Sequence, residues 1–483
     1  KFINGDKMKK LKKIFSTLVL VPSLFVPSLT FAADRNAPVI TEVKVEDNFN
    51  KNSENQNTLD KKIEEAHEVK SKEESTAPKD LIFSPWASSE LNDVQFMGLF
   101  PISSFSNGKD FTKAVTREDA NAAYNLAKEK IESRNIKTGG NFNFKNLSRL
   151  ETLESISKLL NDDKFSVKSL KDLKIFLGED SKSYLNEKIP LEEMLSLYNR
   201  AVKKVLQDND KVSKGFFYEI NNKNNKVYML GSIHVGRNSL YPIDNNIVKS
   251  LKNSDKIYME IDLTDQEKIA EMQEKIYYKD GRNLKDDLGE ELYERVLDIF
   301  KNFGMTEDQV KSIKPWAIYN TLSIDPNRET ATSDYGVESY FLALSLLNKI
   351  EIDELESVEF QSDLLSNFDK ESYISMIKNL TYEIEKNGYK NINAQLDKMI
   401  DVWEKGDKDK MKILLSTNGD KAAEKFNEAL LSDRDKNMAK KIDTLLKEDG
   451  KNTYFILIGS AHLVPENSVT GILKSMGYNV IEK

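Results

Sequence analysis

Two short apolar runs, Val227-Tyr228-Met229-Leu230 and Tyr454-Phe455-Ile456-Leu457-Ile458, lead into the same tetrapeptide pattern, Gly231-Ser232-Ile233-His234 and Gly459-Ser460-Ala461-His462. Both runs are β-branched or aromatic and too short for isolated helices, so each reads as a buried strand. A glycine closing a strand lets the backbone turn sharply or approach a ligand, and the histidine three residues later stands at the mouth of the sheet. Such mouths are where open α/β sheets place their ligands. One histidine beside an apolar run reads as a packed core residue. Two copies at the same offsets, more than two hundred residues apart in a chain with three histidines, read as strand ends that converge in space.

The rest of the 483-residue chain divides around these two strands. Met8-Lys9-Lys10-Leu11-Lys12-Lys13 supplies a basic start, Ile14 to Leu29 an apolar stretch and Thr30-Phe31-Ala32 a small-x-small site, so 8–32 reads as a signal peptide cut after Ala32. Lys1 to Lys7 read as an upstream extension. Pro22 and Pro27 interrupt the apolar stretch, and no later segment reaches the roughly 18 to 20 continuous apolar residues of a membrane span. Residues 34–80 are rich in Asn, Lys, Glu, Asp and Ser, with Phe49 the single aromatic, and read as a disordered linker. The third histidine, His67, falls here as a solvated side chain.

Residues 81–210 read as a small helical domain containing a degenerate repeat. Val115-Thr116-Arg117-Glu118-Asp119 with Tyr124-Asn125 matches Ile189-Pro190-Leu191-Glu192-Glu193 with Tyr198-Asn199, and both copies open helices. Thr116 is suited to cap the first, with acids in the first turn, and Pro190 to begin the second.

From 215 to 483, strands alternate with helices. Phe216–Ile220 and Lys226–Leu230 flank Asn221-Asn222-Lys223-Asn224-Asn225, a hairpin signal. Further strands are expected at Lys256–Glu260, Ile350–Leu355 and Asn479–Ile481. Amphipathic helices are expected at Asn283–Asn302, Val337–Leu347, Lys370–Glu385, Ala394–Trp403 and Asp435–Glu448. The expected fold class is α/β: a central mixed sheet with helices and a helical cap insertion over the strand ends, preceded by the signal peptide, the linker and the small helical domain.

Composition narrows the chemistry. A net charge of −8, with lysines interspersed among acids, argues against a nucleic-acid partner. Cysteine is absent, which removes disulfides, thiolate zinc sites and cysteine nucleophiles together. Any metal must be held by His, Asp, Glu or backbone oxygen. A serine-hydrolase reading of Ser232 or Ser460 is weak, because neither lies in a Gly-x-Ser-x-Gly elbow.

After the first histidine come Tyr241-Pro242-Ile243 and then Ser254-Asp255-Lys256-Ile257-Tyr258-Met259-Glu260-Ile261-Asp262. With Lys314-Pro315-Trp316, Gly336-Val337-Glu338, Leu355-Glu356-Ser357, Gln361, Arg434, the closing Gly459-Ser460-Ala461-His462-Leu463 and Gly477-Tyr478, this order resembles the TraB/PrgY/GumN family, whose members resemble the TIKI metalloproteases. That resemblance implies a divalent-metal site with His234 and His462 as imidazole ligands and Glu260 as carboxylate ligand or general base. Arg434 matches a family arginine and would stabilise an oxyanion, although Asp435 follows it where the family usually has Asn. As a helix-surface ion pair it would be unremarkable. Asp262, Glu338 and Glu356 are secondary candidates, while Trp316 and Tyr319 read as packing residues. Two imidazoles and a carboxylate suit Mn, Co or Zn and leave coordination positions open.

Separately, Pro85-Trp86-Ala87, Gly98-Leu99-Phe100 and Asp110-Phe111 leading into Thr116-Arg117-Glu118 resemble S-layer homology modules, which implies a cell-wall polymer as partner. The expected function is therefore a secreted, wall-associated, metal-dependent hydrolase of peptides, using a divalent-metal-activated water. The alternatives are a non-catalytic protein that sequesters a signalling peptide and a cell-wall-attached binding protein.

Overall fold

The computed structural model describes residues 81–483 apart from 163, 329 and 417–420. The expected signal peptide, the linker and His67 lie outside the described residues. The first part is helical: α1 (Ser88–Met97), α2 (Arg117–Glu132), α3 (Arg149–Leu159) and α4 (Leu191–Asp208). Leu191, Met194, Leu195, Tyr198, Ala201, Val202 and Leu206 recur at helical spacing on α4 and are all buried, giving a stripe on which α1, α2 and α3 pack. The two repeat copies lie side by side. Val115 N donates to the Ile189 carbonyl at 2.9 Å, Leu191 N to that of Lys113 at 2.9 Å, and the rings of Tyr124 and Tyr198 sit 6.4 Å apart. Thr116 caps α2 as expected, accepting from Asp119 N at 3.1 Å, whereas Pro190 is the residue before α4 rather than its first.

The second part is built on a six-stranded mixed sheet. Its strands are β1 (Phe216–Asn222), β2 (Asn225–Ser232), β3 (Lys256–Met259), β4 (Glu351–Glu354), β5 (Thr453–Gly459) and β6 (Ile481–Glu482), in the order β4-β3-β5-β2-β1-β6. The four strands from β4 to β2 are parallel, while β1 and β6 add antiparallel at one edge. β1 and β2 extend into the expected five-residue loop and leave a tight turn at Lys223-Asn224, with Lys223 at φ +53°. β5 is buried on both neighbours' sides, which accounts for its unbroken apolar run.

Helices fill the connections. α5 (Asn245–Lys252) links β2 to β3; α6 (Glu290–Lys301), α7 (Pro315–Leu322) and α8 (Val337–Asn348) precede β4. α9 (Val358–Asn367), α10 (Lys370–Asn387), α11 (Lys390–Lys405) and α12 (Lys421–Lys447) separate β4 from β5, and α13 (Val469–Ser475) follows it. The single helix expected over Asn283–Asn302 is two, because Gly289 at φ +75° ends a turn over Leu284–Leu288 before α6 begins. The helix expected to start at Asp435 begins at Lys421, so Arg434 and Asp435 lie in mid-helix. α8 packs on the sheet through Phe341, whose ring stacks on Phe455 of β5 at 5.3 Å. No helix among the described residues is long and apolar enough to cross a membrane.

Candidate functional site

The register of the parallel strands brings the two histidine motifs together. Gly231 pairs with Ile458 and Ser232 with Gly459, so the two copies are offset by one residue on adjacent strands. Met259 of β3 pairs with Leu457 on the other side of β5, which places Glu260 at the same carboxyl edge. Gly459 is the pivot. A Cβ there would lie 3.1 Å from Glu260 Oε1, 3.8 Å from His234 Nε2 and 3.8 Å from His462 Cδ2, so glycine leaves open the space on which all three side chains border.

Each imidazole is held by a carboxylate at Nδ1. His234 meets Glu338 Oε1 at 2.8 Å, and the same oxygen accepts a short hydrogen bond from Ser232 Oγ. His462 Nδ1 meets Asp435 Oδ1 at 2.5 Å, and its Nε2 faces Glu260 Oε1 at 3.9 Å. Glu260 Oε1 also accepts from Gly459 N at 2.6 Å. The other oxygen of Glu260 accepts from Arg434 Nη2 at 2.8 Å and from Gln361 Nε2 at 3.3 Å. Arg434 Nε then donates to Glu356 Oε2 at 2.7 Å. The motif serines are tied into the scaffold: Ser460 Oγ donates to the Ser232 carbonyl at 2.8 Å, and Trp403 Nε1 donates to that of Gly231 at 2.7 Å.

The electrostatics follow from crowding these charges in a buried place. Burial opposes ionisation of Glu260, but His462, Arg434, His234 and the Gly459 N–H overcome it and hold its pKa down to about 2. Burial also works against protonated His234, yet the adjacent Glu338 wins and raises it to about 8. Glu356 and Asp435 both titrate above the usual carboxylate range, because burial outweighs Arg434 for the first and His462 for the second. Side-chain exposure is 3% for His462, 10% for Glu260 and 29% for His234, so the cluster opens to solvent at His234.

Four carboxylates, Glu260, Glu338, Glu356 and Asp435, thus surround one guanidinium and two imidazoles. Glu338 Oε2, Glu356 Oε1 and Gln361 Oε1 are buried acceptors without a hydrogen-bond partner. With neutral imidazoles the cluster carries an acidic excess that a divalent cation would offset. Carboxylates on the Nδ1 atoms are also the outer partners that metal-ligating histidines use. The residues fit a divalent ion in donor type, charge and outer partners. Their spacing is wider: among the described residues no three His, Cys, Asp or Glu side chains are grouped closely enough to hold an ion as they stand.

Sequence reasoning singled out His234, His462, Glu260, Arg434, Glu338 and Glu356, and the structure brings all six together. Asp262, a secondary candidate, has its Oδ1 in a local turn, accepting from Thr264 N at 2.8 Å and Thr264 Oγ1 at 2.6 Å. Arg434 is not on the helix surface: it is 1% exposed and paired with two glutamates. Asp435 was noted only as a departure and is the partner of His462. Gln361 was a landmark without a role, and Trp403 carried no signal beyond ending an expected helix. Trp316 and Tyr319 pack, the first at 2% exposure and the second against Tyr373 and Phe426.

The parallel strands of a mixed sheet carry two histidines and a glutamate at their carboxyl edge, and comparison with known proteins gives the family. The chain belongs to the TraB/PrgY/gumN family, whose model matches residues 216–482. It is similar to Metalloprotease TIKI2 of Xenopus tropicalis, 23% identical over 297 aligned residues that cover 52% of this chain and 57% of that protein. Metalloprotease TIKI1 of Danio rerio is 23% identical over 296 residues, covering 52% and 60%. The chain therefore spans between 57% and 60% of the length of these relatives. No solved structure matches the chain. The family match begins at residue 216, and the S-layer likeness of 81–210 gains no support from these matches.

Proposed function

We propose that this chain is a metal-dependent hydrolase acting on peptides, with His234, His462 and Glu260 as ligands of one divalent ion and Arg434 positioning Glu260. The observation that carries this reading is the convergence of the three side chains beside Gly459, each imidazole anchored at Nδ1 by a carboxylate. The distant likeness to two metalloproteases supports it. A divalent ion bound there would polarise a peptide carbonyl and acidify water, with Mn, Co and Zn all compatible with nitrogen and oxygen donors.

The chain's own groups have distinct tasks. Asp435 fixes the His462 ring so that Nε2 faces Glu260. Glu338 does the same for His234 on the exposed side, where a peptide can approach. Glu260, whose Oε1 borders the space beside Gly459, would serve as a carboxylate ligand or as general base. Arg434 and Gln361 restrain one of its oxygens and leave the other directed to the shared space.

The same reading takes 215–483 as the unit that carries the site, 8–32 as its export signal and 81–210 as a wall-associated region. The test is cleavage of a peptide library with added Mn²⁺ by the full chain and by a His234→Ala, His462→Ala double variant. Cleavage by the wild type that the double variant loses is expected. Equal cleavage by both would overturn the proposal, and stoichiometric peptide binding without cleavage would reassign the chain to sequestration.

A further inference from the structure

The helical region at 81–208 is built into the wall of the site. Phe96 of α1 is 4% exposed, and its ring meets three tyrosines edge-on: Tyr241 at 4.9 Å, Tyr340 at 5.1 Å and Tyr335 at 6.0 Å. None of the three is a bystander. Tyr241 OH donates to the carbonyls of Tyr335 at 2.9 Å and Gly336 at 3.1 Å. Gly336 packs so closely on the His234 carbonyl that a Cβ there would collide with it, and Val337 N donates to the Ile233 carbonyl at 3.1 Å. Two residues beyond Gly336, Glu338 reaches His234 Nδ1. Tyr340, on the same helix, donates to Asp93 Oδ1 of α1 at 2.8 Å, and Lys203 of α4 holds the other Asp93 oxygen at 2.7 Å.

A second tie runs from α2 to the loop that follows His234. Lys130 Nζ donates to the Asn238 carbonyl at 2.5 Å, and Arg134 donates to the Ser239 carbonyl while pairing with Glu404 of α11 at 3.4 Å. Asn238 lies against Gly98, the left-handed residue that ends α1. Asp93 and Lys130 are 6% and 9% exposed. Segments linked as mobile tethers meet through small, wet, polar surfaces; here charged side chains are sealed into the contact.

We infer that Phe96, Asp93 and Lys130 are positioning residues of the site: the helical region sets the His234 loop and the start of α8, and through them the His234–Glu338 pair. The meaning of that pair rests on the proposed metal site, whereas the mechanical coupling does not. Residues 81–208 thus act on the site.

The test uses the full chain with Phe96→Ala, Phe96→Leu, Lys130→Met and, as control, Leu153→Ala, which empties a buried position of α3 away from the contact. Hydrogen–deuterium exchange and Co²⁺ titration are measured on each. Phe96→Ala is expected to speed exchange in 233–241 and 333–340, to leave β5 and the second half of α12 unchanged, and to weaken Co²⁺ binding about tenfold. Phe96→Leu should recover most of both effects, and Leu153→Ala should show neither. Lys130→Met reports on 233–241 should Phe96→Ala fail to fold. Unchanged exchange in both segments, or the same pattern from Leu153→Ala, would overturn the inference. A wild type that takes up no Co²⁺ would sink the metal reading alone, leaving exchange to decide the coupling.

Discussion

His462 Nδ1 lies 2.5 Å from Asp435 Oδ1, with both side chains buried, one in the turn after β5 and the other in the middle of α12. This contact fixes the ring on the side of the cluster closed to solvent, just as the Glu338 contact fixes the other ring on the open side. The pair gives the His462 ring a carboxylate acceptor at Nδ1 from a helix 27 residues earlier in the chain.

Asp435→Asn retains a hydrogen-bonding group and removes the charge. Metal affinity is expected to fall by about ten- to a hundredfold, with a stability change of about 1 kcal/mol or less. Calorimetric titration with Mn²⁺ or Co²⁺, set beside urea unfolding, checks both halves.

Arg434→Met leaves Glu260 and Glu356 buried without their shared cation. Breaking a buried ion cluster from one side costs about 3–5 kcal/mol, read from denaturant unfolding of the metal-free protein. Adding Glu356→Gln should restore part of the loss, since that carboxyl is already pushed towards its neutral form by burial.

Gly459→Ala tests the shared space by filling it. The backbone there, at φ −53° and ψ 143°, accepts alanine, but the new methyl would press on Glu260 Oε1. The expected outcome is a folded protein with metal affinity reduced about tenfold, a size usual for disturbed ligand surroundings. Circular dichroism and the same titration report on it.

Lys130 gives a pH signature that does not involve the ligands. Burial, reinforced by Arg134 and opposed by Glu404, lowers its pKa from 10.5 to about 7. Between those values the unfolded chain binds the proton and the folded chain does not, so this residue's contribution to stability rises with pH from about 7 towards 10.5. Lys130→Met should therefore gain on the wild type at pH 6 and show a smaller gain at pH 9, as measured by urea midpoints across the range.

The strands and the twin histidines were open to sequence reading because buried strands carry apolar runs, here residues 227–230 of β2 and 454–458 of β5. A mixed sheet was expected and is found, and the strand boundaries differ by a few residues where β1 and β2 extend into the Asn-rich turn. Glu338 was a candidate, but which histidine each outer carboxylate holds was not legible. Glu338 and Asp435 reach His234 and His462 from more than a hundred and from 27 residues away, on helices whose placement depends on tertiary packing. Burial of Arg434 was invisible for a related reason: α12 begins at Lys421, fourteen residues before the expected start, and Arg434 is buried within it. The part played by 81–208 was missed because Phe96 reads as an ordinary core residue until its three tyrosine neighbours are known.

Metal uptake by the full chain tests the central claim most directly: Co²⁺ titration of the wild type, His234→Ala, His462→Ala and Glu260→Gln, followed by visible absorption and metal analysis. The expected result is about one equivalent bound per chain by the wild type and binding lost or weakened about a hundredfold in each variant. A wild type that binds no ion, or variants that bind it as the wild type does, would contradict it.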